Sequence, residues 1–163
     1  MDITIKFDGI DEIERKLTAI ADVKKAKTIA RRGVRAGGKD HILPEVKKNA
    51  QSMVGGKTGA RLRVASELKP WPAKYQKGGY GMGVQLDADF NEPFLHITKD
   101  GKRYYIPFAI EYGHAYPGRG GGSSPPKDVA PVPFMRKAYD SQKRPAVDKI
   151  IDTLWQEVKK VTK

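Results

Sequence analysis

Residues 24–48 read KKAKTIARRGVRAGGKDHILPEVKK. Ile29, Gly33, Val34, Gly37, Ile42 and Val46 recur at helical spacing, and this stripe predicts a long helix from Val23 to Met53. Gly33, Gly37 and Gly38 each cost about 1 kcal/mol against alanine in a helix interior. Their position on the stripe is therefore informative, because glycines four apart let another backbone approach closely. Pro44 lacks an amide hydrogen and either breaks the ladder or starts a new segment after a kink. The expected element is a packed, bent helix.

The same stretch is strongly cationic. Lys24, Lys25, Lys27, Arg31, Arg32, Arg35, Lys39, Lys47 and Lys48 face only Asp40 and Glu45, leaving +7 of the chain's +12 on one element. Repulsion along that helix calls for solvent or a partner. Arg61, Arg63 and Lys74 extend the strip. It suits an anionic partner, either nucleic acid or an acidic protein face; the bland reading is a solvated helix face.

To the N-terminal side, Ile3, Ile5 and Phe7 alternate with polar residues as in a half-buried strand, and Ile10, Ile13, Leu17 and Ile20 mark a helix of about three turns. To the C-terminal side, SMVGGKTGA (52–60) reads as a loop. Leu62, Val64 and Ser66 alternate as in a strand ending near Leu68, and residues 69–79 are expected to form an exposed arm or connection. A strand is expected over 80–87. FLHIT (94–98) and KRYYI (102–106) flank Lys99-Asp100-Gly101, a hairpin signal. FAIEYG (108–113) is too short to classify. Residues 113–128 are a flexible Gly/Pro-rich loop by composition. Pro133 then opens a long helix carrying Phe134, Ala138, Val147, Ile150, Ile151, Leu154, Trp155, Val158 and Val161, with Pro145 expected to kink or restart it.

The 163 residues fit a single domain, 1–163. The surface scaling law gives roughly 8,000 Å² folded against about 26,000 Å² extended, enough for a core without staples. Zero cysteines exclude disulfides, thiolate catalysis and cysteine-bearing metal sites. No apolar run approaches the roughly eighteen residues of a membrane span. The opening MDITIKFDGI reads as neither a signal nor a transit peptide, so synthesis in a cytoplasm is expected.

Chemical motifs are sparse. Gly56-Lys57-Thr58 resembles the end of a phosphate loop, but position 51 is Gln and a helix precedes it. GGYGMG (78–83) does not fit a dinucleotide fingerprint. His41, His96 and His114 lie far apart, without metal-ligand spacing. Asp87 and Asp89 read as a solvated turn. Trp71, Tyr75 and Tyr80 lie among lysines and could stack on bases. Glu111 is the sole acid in YYIPFAIEYG, where a structural hydrogen bond or ion pair outweighs acid–base catalysis. No cofactor, metal or catalytic site is expected, and the chain is read as a non-enzyme.

Several segments in order carry a resemblance: the strand and helix IDEIERKLTAI, the basic helix, Thr58-Gly59 with Leu62 and Ser66, YYIPFAIEYGH, a glycine-rich loop, and APVPFMRKAYD before a long terminal helix. This order resembles the neck proteins of tailed bacteriophages, variously called tail-completion, head–tail joining or minor tail proteins. In that family a Thr-Gly pair precedes a strand, an aromatic-Glu-aromatic-Gly segment follows a hairpin, and a Pro-Phe-hydrophobic-Arg segment starts the last helix. The present chain departs in one extra residue after Thr-Gly, in Gly55-Gly56-Lys57 as the lead-in, in His114 where Thr is common, and in a longer 69–79 stretch.

The resemblance implies a structural virion protein at the head–tail junction or in the tail. It would assemble as a homo-oligomeric ring, expected to be a hexamer, between the head connector and the tail-tube or terminator proteins, with genomic DNA passing through. It also implies that Glu111, Tyr112 and Gly113 fix the loop before the last helix, and that Pro133, Phe134, Met135 and Arg136 anchor that helix at a subunit or partner contact. The expected fold is α+β: a small, mostly antiparallel sheet packed against long N-terminal and C-terminal helices. The alternative is a free-standing, sequence-independent nucleic-acid-binding protein.

Overall fold

The computed structural model describes residues 23–70, 82–86, 94–97, 99, 101, 103–116 and 127–161. The expected strand 2–7, helix 10–20, most of the 69–79 arm, Asp87, Asp89 and the centre of the 113–128 loop lie outside these residues. The chain is α+β. Helix α1 (Val23–Gly37) passes through a wide π-turn (Gly38–Ile42) into α2 (Leu43–Asn49), and a second π-turn (Ala50–Val54) leads to α3 (Gly56–Ala65). Strands β1 (Ser66–Pro70) and β2 (Met82–Leu86) pair antiparallel, as do β3 (Leu95–Ile97) with β4 (Arg103–Tyr105). After α4 (Ile106–Tyr112), β5 (His114–Tyr116) pairs with β6 (Lys127–Val129), and α5 (Phe134–Val161) closes the chain. Among the described residues the expected small sheet takes the form of three two-stranded antiparallel ribbons.

The long helix from Val23 is present, and its bend is the first π-turn. Leu43 N–H reaches back to the carbonyl of Gly38, one residue farther than an α-turn. The extra residue accommodates Pro44 in the first turn of α2, where its missing donor is least costly. The glycine stripe works as expected. Helix α5 runs antiparallel to α1 so closely that a Cβ on Gly37 would sit 2.5 Å from the Ala146 carbonyl oxygen and 2.7 Å from Ile150 Cγ1. On Gly33 a Cβ would meet Leu154 Cδ2 at 2.9 Å. Farther along, Ile29 packs on Val158, and Arg32 pairs with Glu157.

The reading of 52–68 as loop then strand is corrected. Gly55 and Gly56 take positive φ (69° and 55°) and reverse the chain, which re-enters a helix rather than extending. Gly59, Leu62 and Ala65 are buried at three-residue spacing and face Val46 and Ala50, while Val64 is 58% exposed. The alternation of Leu62, Val64 and Ser66 was therefore incidental: Leu62 and Ser66, four apart, fall on the buried side, and Val64 between them faces away. Ser66 ends α3 by donating its hydroxyl to the Leu62 carbonyl at 2.7 Å, and β1 begins there.

The main core joins Val46, Ala50, Leu62, Ala65, Phe94, Phe134 and Ala138. Phe94 and Phe134, 1% and 0% exposed, are its largest members; such side chains contribute about 1.5–3 kcal/mol each. Asn49 donates its amide to the Phe134 carbonyl at 3.1 Å, tying α2 to the start of α5. The hairpin at Lys99–Gly101 is present, with Gly101 at φ 79°. FAIEYG is mostly helix, α4. Helix α5 continues through Pro145 without restarting, and of its apolar set Val147 and Ile151 point outward, 51% and 43% exposed. Apolar residues four apart drift around a 3.6-residue helix, so a run this long cannot bury every member against one neighbour.

Two stability outcomes follow from the α1–α5 contact. Gly37→Ala should destabilise by about 1–2 kcal/mol in urea unfolding, because overpacking against a fixed carbonyl exceeds the helix-propensity gain of about 1 kcal/mol. Gly33→Ala should be near neutral, since it meets the movable end of Leu154. The Glu157 carboxyl is held below its ordinary 4.5 by hydrogen bonds from Lys160 and Arg32. Its contribution is therefore present above 4.5 and lost as pH falls through the depressed folded value. The stability gap between the wild type and Glu157→Gln should close on acidification.

Candidate functional site

The turn from α4 into α5 concentrates the most unusual geometry. Pro107 sits in the first turn of α4, where its fixed φ suits helix initiation. Six residues later Gly113 takes φ 76°, and a Cβ there would lie 2.8 Å from the Val129 carbonyl, so glycine is required twice over. Val132 N–H donates to the Ile110 carbonyl at 2.7 Å and returns the chain beside α4. This delivers the N-terminus of α5 to Glu111, which is 6% exposed. Its carboxylate accepts the backbone N–H of Met135 and of Arg136, each at 3.0 Å.

Two of the four amides that any helix leaves unsatisfied at its start are thus capped from a different helix, with a negative charge at the positive end of the dipole. Both Glu111 oxygens are engaged by main-chain donors, which is a structural use of the carboxylate rather than proton transfer to a substrate.

Around this cap lies a groove of about 480 Å³ with exposed aromatics on its walls. Phe108 and Tyr112 stack at 4.6 Å between centroids, and the Arg136 guanidinium lies 5.2 Å from the Tyr112 ring. Phe108 is 63% exposed, Tyr112 57% and Tyr139 58%. Aromatic and arginine side chains grouped in a concavity are the composition of protein contact hot spots. Sequence reasoning singled out Glu111, Tyr112, Gly113 and Pro133–Arg136, and the structure brings these together, except that Phe134 turns inward as a core residue. It missed Phe108 and Tyr139; the four-residue spacing of Phe108 and Tyr112 was the available signal, readable only once α4 is known to be a helix.

The cationic strip divides into parts. Lys25, Lys27, Arg31, Arg32 and Arg35 are exposed on α1, with Lys27, Arg31 and Arg35 on the side away from its glycine stripe, and Lys39 is exposed in the first π-turn; Lys24 lies in the first turn of α1. Arg32 is committed to Glu157, and Asp40 to Lys149 at 3.4 Å. Lys47 and Lys48 continue on α2, with Lys48 held by Glu45 at 3.1 Å. The reversal at Gly55–Gly56 folds α3 back, so that Arg63 joins Lys47 and Lys48 along one open groove of about 670 Å³. Arg61 is exposed on the same helix.

The remaining candidates do not converge. His41 lies in the first π-turn, His96 on β3, and His114 edge-on to Tyr104 at 5.5 Å. Among the described residues no group of three His, Asp or Glu could hold a metal ion, and no helix is long and apolar enough to cross a membrane. Gly56-Lys57-Thr58 opens a helix with Lys57 exposed. Burial pushes the Tyr104 phenol above its ordinary 10.0.

Replacing Glu111 with Gln leaves one acceptor for two amides and places an NH₂ group against the other. Glu111→Gln should destabilise by about 2–3 kcal/mol, the range for buried hydrogen bonds to a charged group. Denaturant unfolding checks this.

Comparison with protein-family models, with curated proteins and with solved structures gives no match.

Proposed function

We propose that the protein is a structural virion subunit of a tailed phage, a neck or tail-completion component that assembles as a ring at the head–tail junction. The observation that carries this reading is the aromatic groove built on the Glu111 cap. YYIPFAIEYG and PVPFMR, the segments through which the chain resembles that family, meet there and present Phe108, Tyr112 and Arg136 outward. A side chain such as Phe108, 63% exposed in the isolated subunit, is a strong incentive to association, at about 25 cal/mol per Å² of apolar area covered.

Charge bears on the same reading. A ring of about six copies would carry near +72 unless anions offset it. DNA in a channel or acidic faces on adjacent rings would meet that need. Subunits joined through the aromatic groove would leave the α1–α2 strip available for either.

The test is particle mass across a salt series, for the chain alone and with head connectors and tail tubes supplied. A closed oligomer of defined size is expected in at least one of these settings, resistant to salt because its contact is mainly apolar. Phe108→Ser with Tyr112→Ser should abolish it while leaving the unfolding midpoint within about 0.5 kcal/mol of equivalent stability, as for other exposed sites. A chain that stays monomeric throughout overturns the proposal.

A further inference from the structure

We infer that the groove between α2, the second π-turn and α3 is a docking site for the sugar–phosphate backbone of a nucleic-acid duplex. The inference goes beyond the ring reading and requires only the single chain.

Three cations converge on the groove from two segments, Lys47 and Lys48 on one wall and Arg63 on the other, with Gln51 between them. Lys48 is steadied by Glu45, both carboxylate oxygens lying within 3.2 Å of its ammonium group. Lys47 and Arg63 have no carboxylate partner among the described residues. The Ser52 hydroxyl donates to the Lys48 carbonyl at 3.0 Å and so braces the wall. Lysine, arginine and side-chain amides are the groups that hold phosphate oxygens.

The choice between nucleic acid and an acidic protein face follows from what the groove lacks. Protein contacts draw their energy from aromatic and apolar anchors in well-packed pockets. Among the described residues the sole apolar wall residue is Val64, whereas the exposed aromatics Phe108, Tyr112 and Tyr139 line a separate groove. The molecule keeps the two chemistries apart. The same lack of aromatics among the described lining residues favours duplex over single strand, because single-strand sites rely on rings that stack on unpaired bases. Nothing in that described lining reads base edges in a set pattern, so recognition is independent of sequence.

The test is fluorescence polarisation with a short mixed-sequence DNA duplex, the matching single strand, and polyglutamate as competitor, across a salt series. Three phosphate contacts predict a log–log salt slope of about −2.7. Lys47→Gln with Arg63→Gln should shrink it by about 1.8 and weaken binding by tens of fold near 0.1 M salt. The charge-keeping swap Lys47→Arg with Arg63→Lys should preserve the slope, and unfolding curves verify that both variants fold. An unchanged slope in the neutralised variant, tighter binding of the single strand, or displacement of duplex by polyglutamate at equal charge overturns the proposal. Particle mass measured on the same samples separates the two readings: a monomer that binds duplex leaves this groove standing and removes the ring.

Discussion

The near-contact of two backbones at Gly33 and Gly37 governs the rest of this molecule. With no side chain at either position, α5 lies so close to α1 that a Cβ at Gly37 would strike the Ala146 carbonyl and one at Gly33 would have to displace the end of Leu154. Its line is then set at both ends. Toward its C-terminus Glu157 meets Arg32; toward its N-terminus the first amides arrive at Glu111. A 28-residue helix is thereby held by one close approach and two carboxylates, Glu111 satisfied wholly from α5 and Glu157 by Arg32 of α1 together with Lys160 of its own helix. The small core around Phe94 and Phe134 fills the space this arrangement defines.

The segregation of surface chemistry has the same origin. Burial of the glycine stripe turns the opposite side of α1 outward, and that side carries the lysines and arginines. Not all of the charge is directed outward: Arg32 is turned against α5, where Asp40 also meets Lys149. The aromatics gather at the other junction, where the tight turn at Gly113 and the return of the chain beside Ile110 leave Phe108 and Tyr112 on the outer side of α4. A cationic surface poor in anchors and an aromatic surface built on a cap are therefore products of one packing scheme.

Legibility in the sequence followed the range of the interactions. The hairpin at Lys99–Gly101 depends on one glycine's φ and was readable locally. The packed, bent helix was readable because Gly33 and Gly37 fall on its apolar stripe and Pro44 follows. Helix α3 was not, because its buried face consists of Gly59, Leu62 and Ala65 and carries little hydrophobic signal, while Leu62, Val64 and Ser66 imitate a strand. The outward turn of Val147 and Ile151 was hidden because apolar character does not say which neighbour is present to cover it. Glu111 was recognisable as a carboxylate needing partners, but those partners lie 24 and 25 residues away and are main-chain groups. The meeting of Arg63 with Lys47 depends on two left-handed glycines whose joint effect no periodicity encodes.

Because Glu111 grips amides rather than side chains, the identities of residues 135 and 136 are decoupled from the clamp. Evolution is free to repaint Arg136, altering what the surface recognises, while the joint beneath stays intact; Met135, packed against the core, is held by that packing and not by the clamp. The acid at 111 and the glycine at 113 have no such latitude. Divergent relatives of this chain should therefore be sought by an acidic residue two places before a glycine, followed about two dozen residues later by a helix start, rather than by overall resemblance.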